Sequence, residues 1–495
     1  MRSLPRPCLS TALATVLATA AVGTVFPPAA RAAVQPTPAV APTAESAIIW
    51  ARAEGPETVR LWLASDQGPP IFRTLPAAAD ADWTVRFVVE GLAADTTYRY
   101  RLWSNETGPV RNLKRAVSGS FRTAPAADST ARVRLAWGGD VAGQNVCRDA
   151  TEGFPIFAAI RALEPDFFIG LGDMIYADNV CEPIGRYENE QLAGDFPPAT
   201  SLADYWAHWR YAWGEPQLAA LRRQTGYFGI WDDHEVVNDF GPLNDTRQEA
   251  PYTGQNLLPI GLQAFLDYNP VDPAAITPQR LYRSLRWGRH LEIFILDNRQ
   301  YRDANFEPDD DASPKTMLGR EQVAWLKAGL AASDATWKLI VTSVPMSIPT
   351  GSAGAGGRDG WANFEQAGGY ERELLDILGF MAAQGIHNNL WITTDVHFAS
   401  VFRYRPIAEA PDFLAHEAVV GPLNAGLFPN TAFDTTLNPE RLFFFGPQEP
   451  VTSWSTAKDW FNFGVIDIDD RGLLTFSVRD TAGETRFAET LIPRE

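Results

Sequence analysis

What most constrains this chain is how its apolar stretches end. "VRLAWGGD" stops at Asp140, "DFFIGLGD" at Asp173 and "YFGIWDDHE" at Asp232 to Glu235; "LEIFILDNR" stops at Asp297 and Arg299, and "LWITTDVHF" at Asp395 and His397. Each run is short and rich in β-branched and aromatic residues, the pattern of a buried strand. Between and around them lie helical patterns such as "FPIFAAIRALEP", with Phe154, Phe157, Ile160 and Leu163 on one face, "SLADYWAHWRYAW", and "LGREQVAWLKAGLAAS", with Leu318, Trp325, Leu326 and Leu330 as its core side. Strands alternating with helices predict an α/β layer architecture. In such sheets the carboxyl ends of neighbouring parallel strands share one edge, where ligands bind. An Asp after one strand is an ordinary turn or cap residue. Five such endings spread over about 260 residues predict a convergence of acids.

Converging carboxylates repel one another and resist ionisation unless cations lie between them. Carboxylate oxygens suit hard cations and imidazole suits Zn, Fe and related ions, so the set points to Fe, Mn, Zn, Mg or Ca rather than a soft copper site. His208, His290, His387 and His416 lie away from the strand ends and read as structural residues.

The front of the chain has a different grammar. Residues 1–32 read as an export signal: Arg2 and Arg6, then a small apolar run, a Pro-Pro break and "ARA" ending at Ala32. Residues 33–48 are a Pro/Ala-rich lead-in expected to be extended or mobile. Residues 49–125 hold short aromatic strands such as "TVRLWLAS", "WTVRFVVEGL" and "TYRYRLWS", which predict a small all-β sandwich; residues 131–493 then form the α/β domain, its sheet closed by "NFGVIDID", "GLLTFSVRD" and "RFAETLI". The Gly-rich stretch 351–360 predicts a mobile loop. A formal charge of −18, made more negative by the loss of three signal arginines, argues against nucleic acid and anionic membrane surfaces as partners. A metal-dependent nuclease or an amidohydrolase is a further alternative, but the charge argues against the basic tracks a nuclease needs, and only His234 and His397 occupy strand-end motifs where an amidohydrolase favours several His ligands. In an exported protein Cys147 and Cys181 predict a disulfide, with two unrelated thiols, or Cys147 as a ligand, as the alternatives.

Taken in order, "GGDVAGQ", "DFFIGLGDMIYAD", "GIWDDHEVVND", "ILDNRQYRD" and "TTDVHFA" resemble the PhoD-type alkaline phosphatases, a branch of the calcineurin-like metallophosphoesterases. "GLAADTTYRYRLW" in the front resembles a fibronectin type III corner, and "GPLNAGLFPN" looks most like the subgroup that includes a bacterial calcium-dependent phospholipase D. The resemblance implies a four-layer domain with two central mixed sheets flanked by helices. It implies metal ligands at Asp140, Asp173, Tyr176, Asp233, Asp395 and His397, with Asp173 bridging two ions, Asp232 ligating or holding its loop, and His234 assisting the leaving group. Arg299 is expected either to contact phosphate or to pair with acids. Implied cofactors are Fe(III) and Ca(II), with Zn or Mn as options. The expected protein is an exported, periplasmic or secreted monomer without stable membrane insertion, hydrolysing a small phosphate ester; a phosphodiesterase or phospholipase D-type activity on the same centre and a metal-stabilised binding scaffold are the alternatives. The chain departs from the family in having Asp140 where a cysteine often ligates iron, and in separating Arg2 from Arg6 where many members carry a twin-arginine signal.

Overall fold

Three of the five acid-ended runs are neighbours in one sheet, and the other two lie in a second. The computed structural model describes residues 34–104, 116–243, 257–272, 274, 280–352, 357–363, 368–429 and 431–494. The signal reading falls on residues outside this set. In a nine-stranded mixed sheet, Val133–Gly138, Phe167–Gly170 and Gly226–Gly229 run parallel and adjacent. In a seven-stranded mixed sheet, Leu291–Ile295, Trp337–Val341 and Asn389–Thr393 do the same. Strands Asn462–Ile468, Leu474–Asp480 and Thr485–Leu491 complete the first sheet beside Val133–Gly138, as the C-terminal alternation predicts.

The period-two alternation of these strands assigns their faces. Leu291, Ile293 and Ile295 join one hydrophobic core with Trp137, Phe167, Ile169 and Ile466 of the other sheet, while Phe294, Ile340 and Trp391 point the opposite way into a second core. Phe167 and Trp287, one from each sheet, meet at 4.4 Å between ring centroids. The second core is completed by helices Gly319–Ala332 and Glu371–Ala383, through Leu326, Leu330, Leu374, Ile377 and Leu378. Helices Leu202–Trp213 and Leu258–Tyr268 pack on the first core through Tyr205, Trp209, Trp213, Leu262 and Phe265. The former starts at Ser201, which forms a reciprocal capping box with Asp204.

The front strands are divided between two sheets. Ile71–Pro76, Thr58–Ala64, Thr97–Ser104 and Val117–Arg122 form a four-stranded antiparallel sheet. Ser46–Arg52 and Thr84–Glu90 instead extend the nine-stranded sheet, joined to it through Ala39–Pro42, whose Val40 pairs with Gly226. The lead-in expected to be extended or mobile therefore contains a fully buried strand. Its reason is visible in the alternation: Ala39 and Ala41 face the main core and Val40 faces the front core. Polar ties reinforce the junction, since Asp82 accepts from Arg52 (2.9 Å) and from Arg210 (2.6 Å), and Trp50 Nε1 donates to the Asp267 carbonyl at 2.7 Å. The molecule is thus an α/β protein with two mixed sheets and an N-terminal antiparallel sheet. Among the described residues no helix is long and apolar enough to cross a membrane.

Candidate metal centre

The turns that follow the parallel strands bring the acids together. Asp140, Asp173, Asp395 and His397 all have left-handed backbone, with φ of 64°, 51°, 78° and 61°. Non-glycine residues in that region carry strain of about 1 to 3 kcal/mol each, which persists where the surroundings over-determine it. Two devices do so here. The buried Glu235 carboxylate accepts from the backbone N–H groups of Asp173 (2.9 Å), Met174 (2.8 Å) and Asp232 (2.8 Å), locking two turns together. Gly421 crosses so close to Asp140 that a Cβ there would lie 2.4 Å from Asp140 Oδ2.

The donors form two groups. Asp173, Asp232, Asp233 and Asp395 each offer a carboxylate oxygen, all within 4.8 Å of one another. Beside them, Tyr176 Oη lies 2.8 Å from His397 Nε2, which lies 3.7 Å from Asp140 Oδ1. His397 Nδ1 donates to the Gly426 carbonyl, which leaves Nε2 as the basic nitrogen. A further set, Asp233, Asp239 and Asp359, also lies within 4.8 Å. Five oxygens of the first two groups are buried without a hydrogen-bond partner: Asp140 Oδ1, Asp173 Oδ2, Asp232 Oδ2, Asp233 Oδ1 and Asp395 Oδ2. Buried carboxylate oxygens are normally satisfied, so this concentration of orphans fits a site for hard cations. The protonation energetics agree. Burial, with the charges of Asp233 and Asp232, holds the Asp173 carboxyl well above the usual range; burial and Asp232 do the same to Asp395, and burial with Asp232 raises Asp140 to about 7. Burial and the charges of Asp173 and Asp140 push the Tyr176 phenol far up, and burial lowers His397 to about 3.

His234 stands apart from this set in its partner. Its Nδ1 lies 2.7 Å from Asp178 Oδ1, and the residue lines an open cleft of about 290 Å³ together with Asp173, Asp233, Asp239, Asp359, Asp395, His397 and Phe428. Burial opposes its charge, but Asp178 and Asp233 outweigh burial and raise its pKa to about 9. Arg299 is fully buried and does not line the cleft. It donates to Asp232 (2.5 Å) and Asp359 (3.0 Å) and lies 3.5 Å from Asp233. Of its two expected roles, pairing with acids is the one its surroundings support. Asp232 also accepts from Ser343 Oγ at 2.7 Å, so one of its oxygens holds the loop while the other remains unpartnered. Asp297, which ends the fourth of the five runs, accepts from Trp231 Nε1 at 2.9 Å and is structural.

Cys147 and Cys181 form a disulfide, with Cα atoms 5.8 Å apart, so neither is a thiolate ligand. Asp178, Glu235, Asp239 and Asp359 are given no role by the sequence reading, although Glu235 is counted there among the strand-end acids. The first three sit inside quoted motifs, at "MIYAD", "DDHE" and "EVVND", where a polar residue a few positions past a strand end was the available signal. Asp359 follows the short pairing of Gly351–Ser352 with Gly357–Arg358 and has no strand-end context; residues 353–356 of that Gly-rich stretch lie outside the described set.

The chain is 24% identical over 337 residues to alkaline phosphatase D of Bacillus subtilis (strain 168), a match covering 63% of this chain and 53% of that protein. It spans about half the length of that curated relative. A solved structure described as that of PhoD superposes with a TM-score of 0.72 at 19% identity, covering 94% of this chain and 90% of the other, which shows a shared fold. Residues 135–486 match the PhoD-like phosphatase family, and the chain belongs to that family.

Proposed function

We propose that this protein is an exported, metal-dependent phosphoester hydrolase. The observation that carries the reading is the group of five unpartnered carboxylate oxygens around a Tyr–His pair, beside a cleft that also presents an Asp-supported histidine. Asp173, Asp232, Asp233 and Asp395 would hold one cation, and Asp140, Tyr176 and His397 a second, with Asp173 as the bridging candidate. Bound there, a cation pair would supply charge for the phosphate oxygens and acidify water for in-line attack on phosphorus. The chain's own residues do the rest. His234, kept protonated by Asp178 and Asp233, donates a proton from Nε2 to the departing alkoxide as the P–O bond breaks. Arg299 holds Asp232, Asp233 and Asp359 in place without touching substrate. The disulfide supports a location outside the reducing cytoplasm.

Fe(III) is the ion we assign to the tyrosine side. A phenol whose own surroundings favour the neutral form ionises only beside a strongly acidic cation. Purified protein should be coloured, and Tyr176→Phe should bleach it; a colourless protein with full activity excludes the assignment. The activity itself is tested with p-nitrophenyl phosphate and bis(p-nitrophenyl) phosphate, with and without Ca(II) and a chelator. Chelator-sensitive turnover favouring the monoester supports a phosphatase, and preference for the diester supports a phosphodiesterase or phospholipase D-type enzyme. No turnover of either under any metal would leave the binding scaffold as the better reading.

A further inference from the structure

Three loops beside the cleft carry side chains that the reaction above does not use, and two of them line it, through Gln144 and Phe428. The first carries Gln144, the second Arg186 and the third Phe428. The Cys147–Cys181 disulfide fastens the first loop to the second. Arg186 N donates to the Asn145 carbonyl at 2.9 Å, and Asn145 Oδ1 accepts from Glu182 N (2.9 Å) and Gln191 Nε2 (2.7 Å). The third loop is held to both, with Gly426 N donating to Gln144 Oε1 at 3.1 Å and Leu427 N to Tyr187 Oη at 2.7 Å. Such bracing of exposed loops makes a wall of fixed shape, which a binding surface needs.

The side chains on this wall are unusual for their surroundings. Phe428 is 37% exposed, lines the cleft, and lies tilted against the His397 ring with 4.7 Å between centroids. The Arg186 guanidinium lies 5.8 Å from the centroid of the Phe428 ring. A Cβ on Gly426 would lie 3.2 Å from Arg186 Nη1, which puts the cation beside the carbonyl that orients His397. Among the described residues no Lys or Arg lines the cleft itself, and Arg299 is engaged with acids. Arg186 is exposed and has no carboxylate partner among the described residues, in a chain with many more acids than bases. A flat ring and a free guanidinium held side by side suit a ligand that is itself flat and anionic.

The geometry points to a leaving-group subsite at Arg186 and Phe428, selective for phosphoesters whose alcohol side carries an aromatic ring and a second anionic group. This inference rests on the hydrolase reading. It is tested by measuring kcat/KM for phenyl phosphate and 4-carboxyphenyl phosphate with the metal-loaded full chain and its Arg186→Gln and Arg186→Lys variants. The carboxylated substrate's advantage should fall about fivefold in Arg186→Gln, through KM, and partly return in Arg186→Lys, the size of one exposed charge-assisted contact. Added salt should narrow the preference of the unaltered protein and leave that of Arg186→Gln unmoved. Phe428→Leu should lower kcat/KM for both aryl substrates relative to glycerol 2-phosphate. An identical substrate ratio in Arg186→Gln and the unaltered protein overturns the subsite while leaving the hydrolase reading intact. Hydrolysis of no ester at all overturns both.

Discussion

His234 and His208 show how two histidines of one chain are given opposite tasks by their neighbours. Asp178 and Asp233 favour the imidazolium at His234 despite its burial, which suits a proton donor at neutral and alkaline pH. His234→Ala should therefore cost about 100-fold or more on alkyl phosphates, whose leaving groups need a proton, and much less on p-nitrophenyl phosphate. Asp178→Asn should reproduce the same leaving-group dependence in milder form; equal losses on both substrates in both variants would count against the assignment. His208 is buried against the Phe196 ring at 3.9 Å, and its Nε2–H donates to the Pro197 carbonyl at 3.0 Å. Burial lowers its pKa to about 4, although that hydrogen bond and Asp178 pull the other way. The folded state thus keeps His208 neutral, whereas the unfolded chain takes up its proton near pH 6.5. Its contribution is intact above that pH and is lost as pH falls from about 6.5 to about 4. Lowering the pH from 7.5 to 5 should cost the unaltered protein about 2 kcal/mol more than His208→Gln, by denaturant midpoints.

At the scale of elements, the strands were legible because their chemistry is repeated and local. Alternation in "LEIFI" and "NLWIT" separates inward from outward residues, and the polar strand endings announce a convergence of acids, although the five divide between two sheets and Asp297 stays outside the centre. The lead-in strand Ala39–Pro42 was not legible, since four small residues with a proline carry no periodicity to distinguish a buried strand from a linker. Its place is decided by a tertiary fact, the space between Gly226 on one side and Ser46–Arg52 on the other. Asp359 escaped for the same reason, reaching the centre from a Gly-rich stretch through contact with Arg299. The cysteine pair was legible as a pair, but its work as a brace between two loops was not. Replacing both cysteines by serine opens a link across 34 residues of chain, which the loop-entropy relation places at about 3 to 4 kcal/mol. The free energy of urea unfolding should fall by that amount. In kinetics the same variant should raise KM, because one of the two loosened loops carries Arg186.

For the whole molecule, the centre joins the two sheets through mutual repulsion as well as contact. Asp140, Asp173 and Asp232 belong to the nine-stranded sheet, Asp395 and His397 to the seven-stranded one, and their unpartnered oxygens face one another across the junction. Without cations the fold must protonate several of these groups or bear their repulsion, so cation binding and sheet-to-sheet cohesion are linked quantities. Chelation should lower the melting temperature, and returning the ions should restore it. Asp173→Asn separates the two contributions. Asn keeps an oxygen to accept from His234 N–H, as Asp173 Oδ1 does at 3.2 Å, and its new amide can donate to an unpartnered aspartate oxygen nearby. The variant should lose activity and its response to added metal, yet in chelator it should melt about 2 °C or more above the chelated unaltered protein. A chelated variant that melts lower would mean that the acids are not in conflict without their ions.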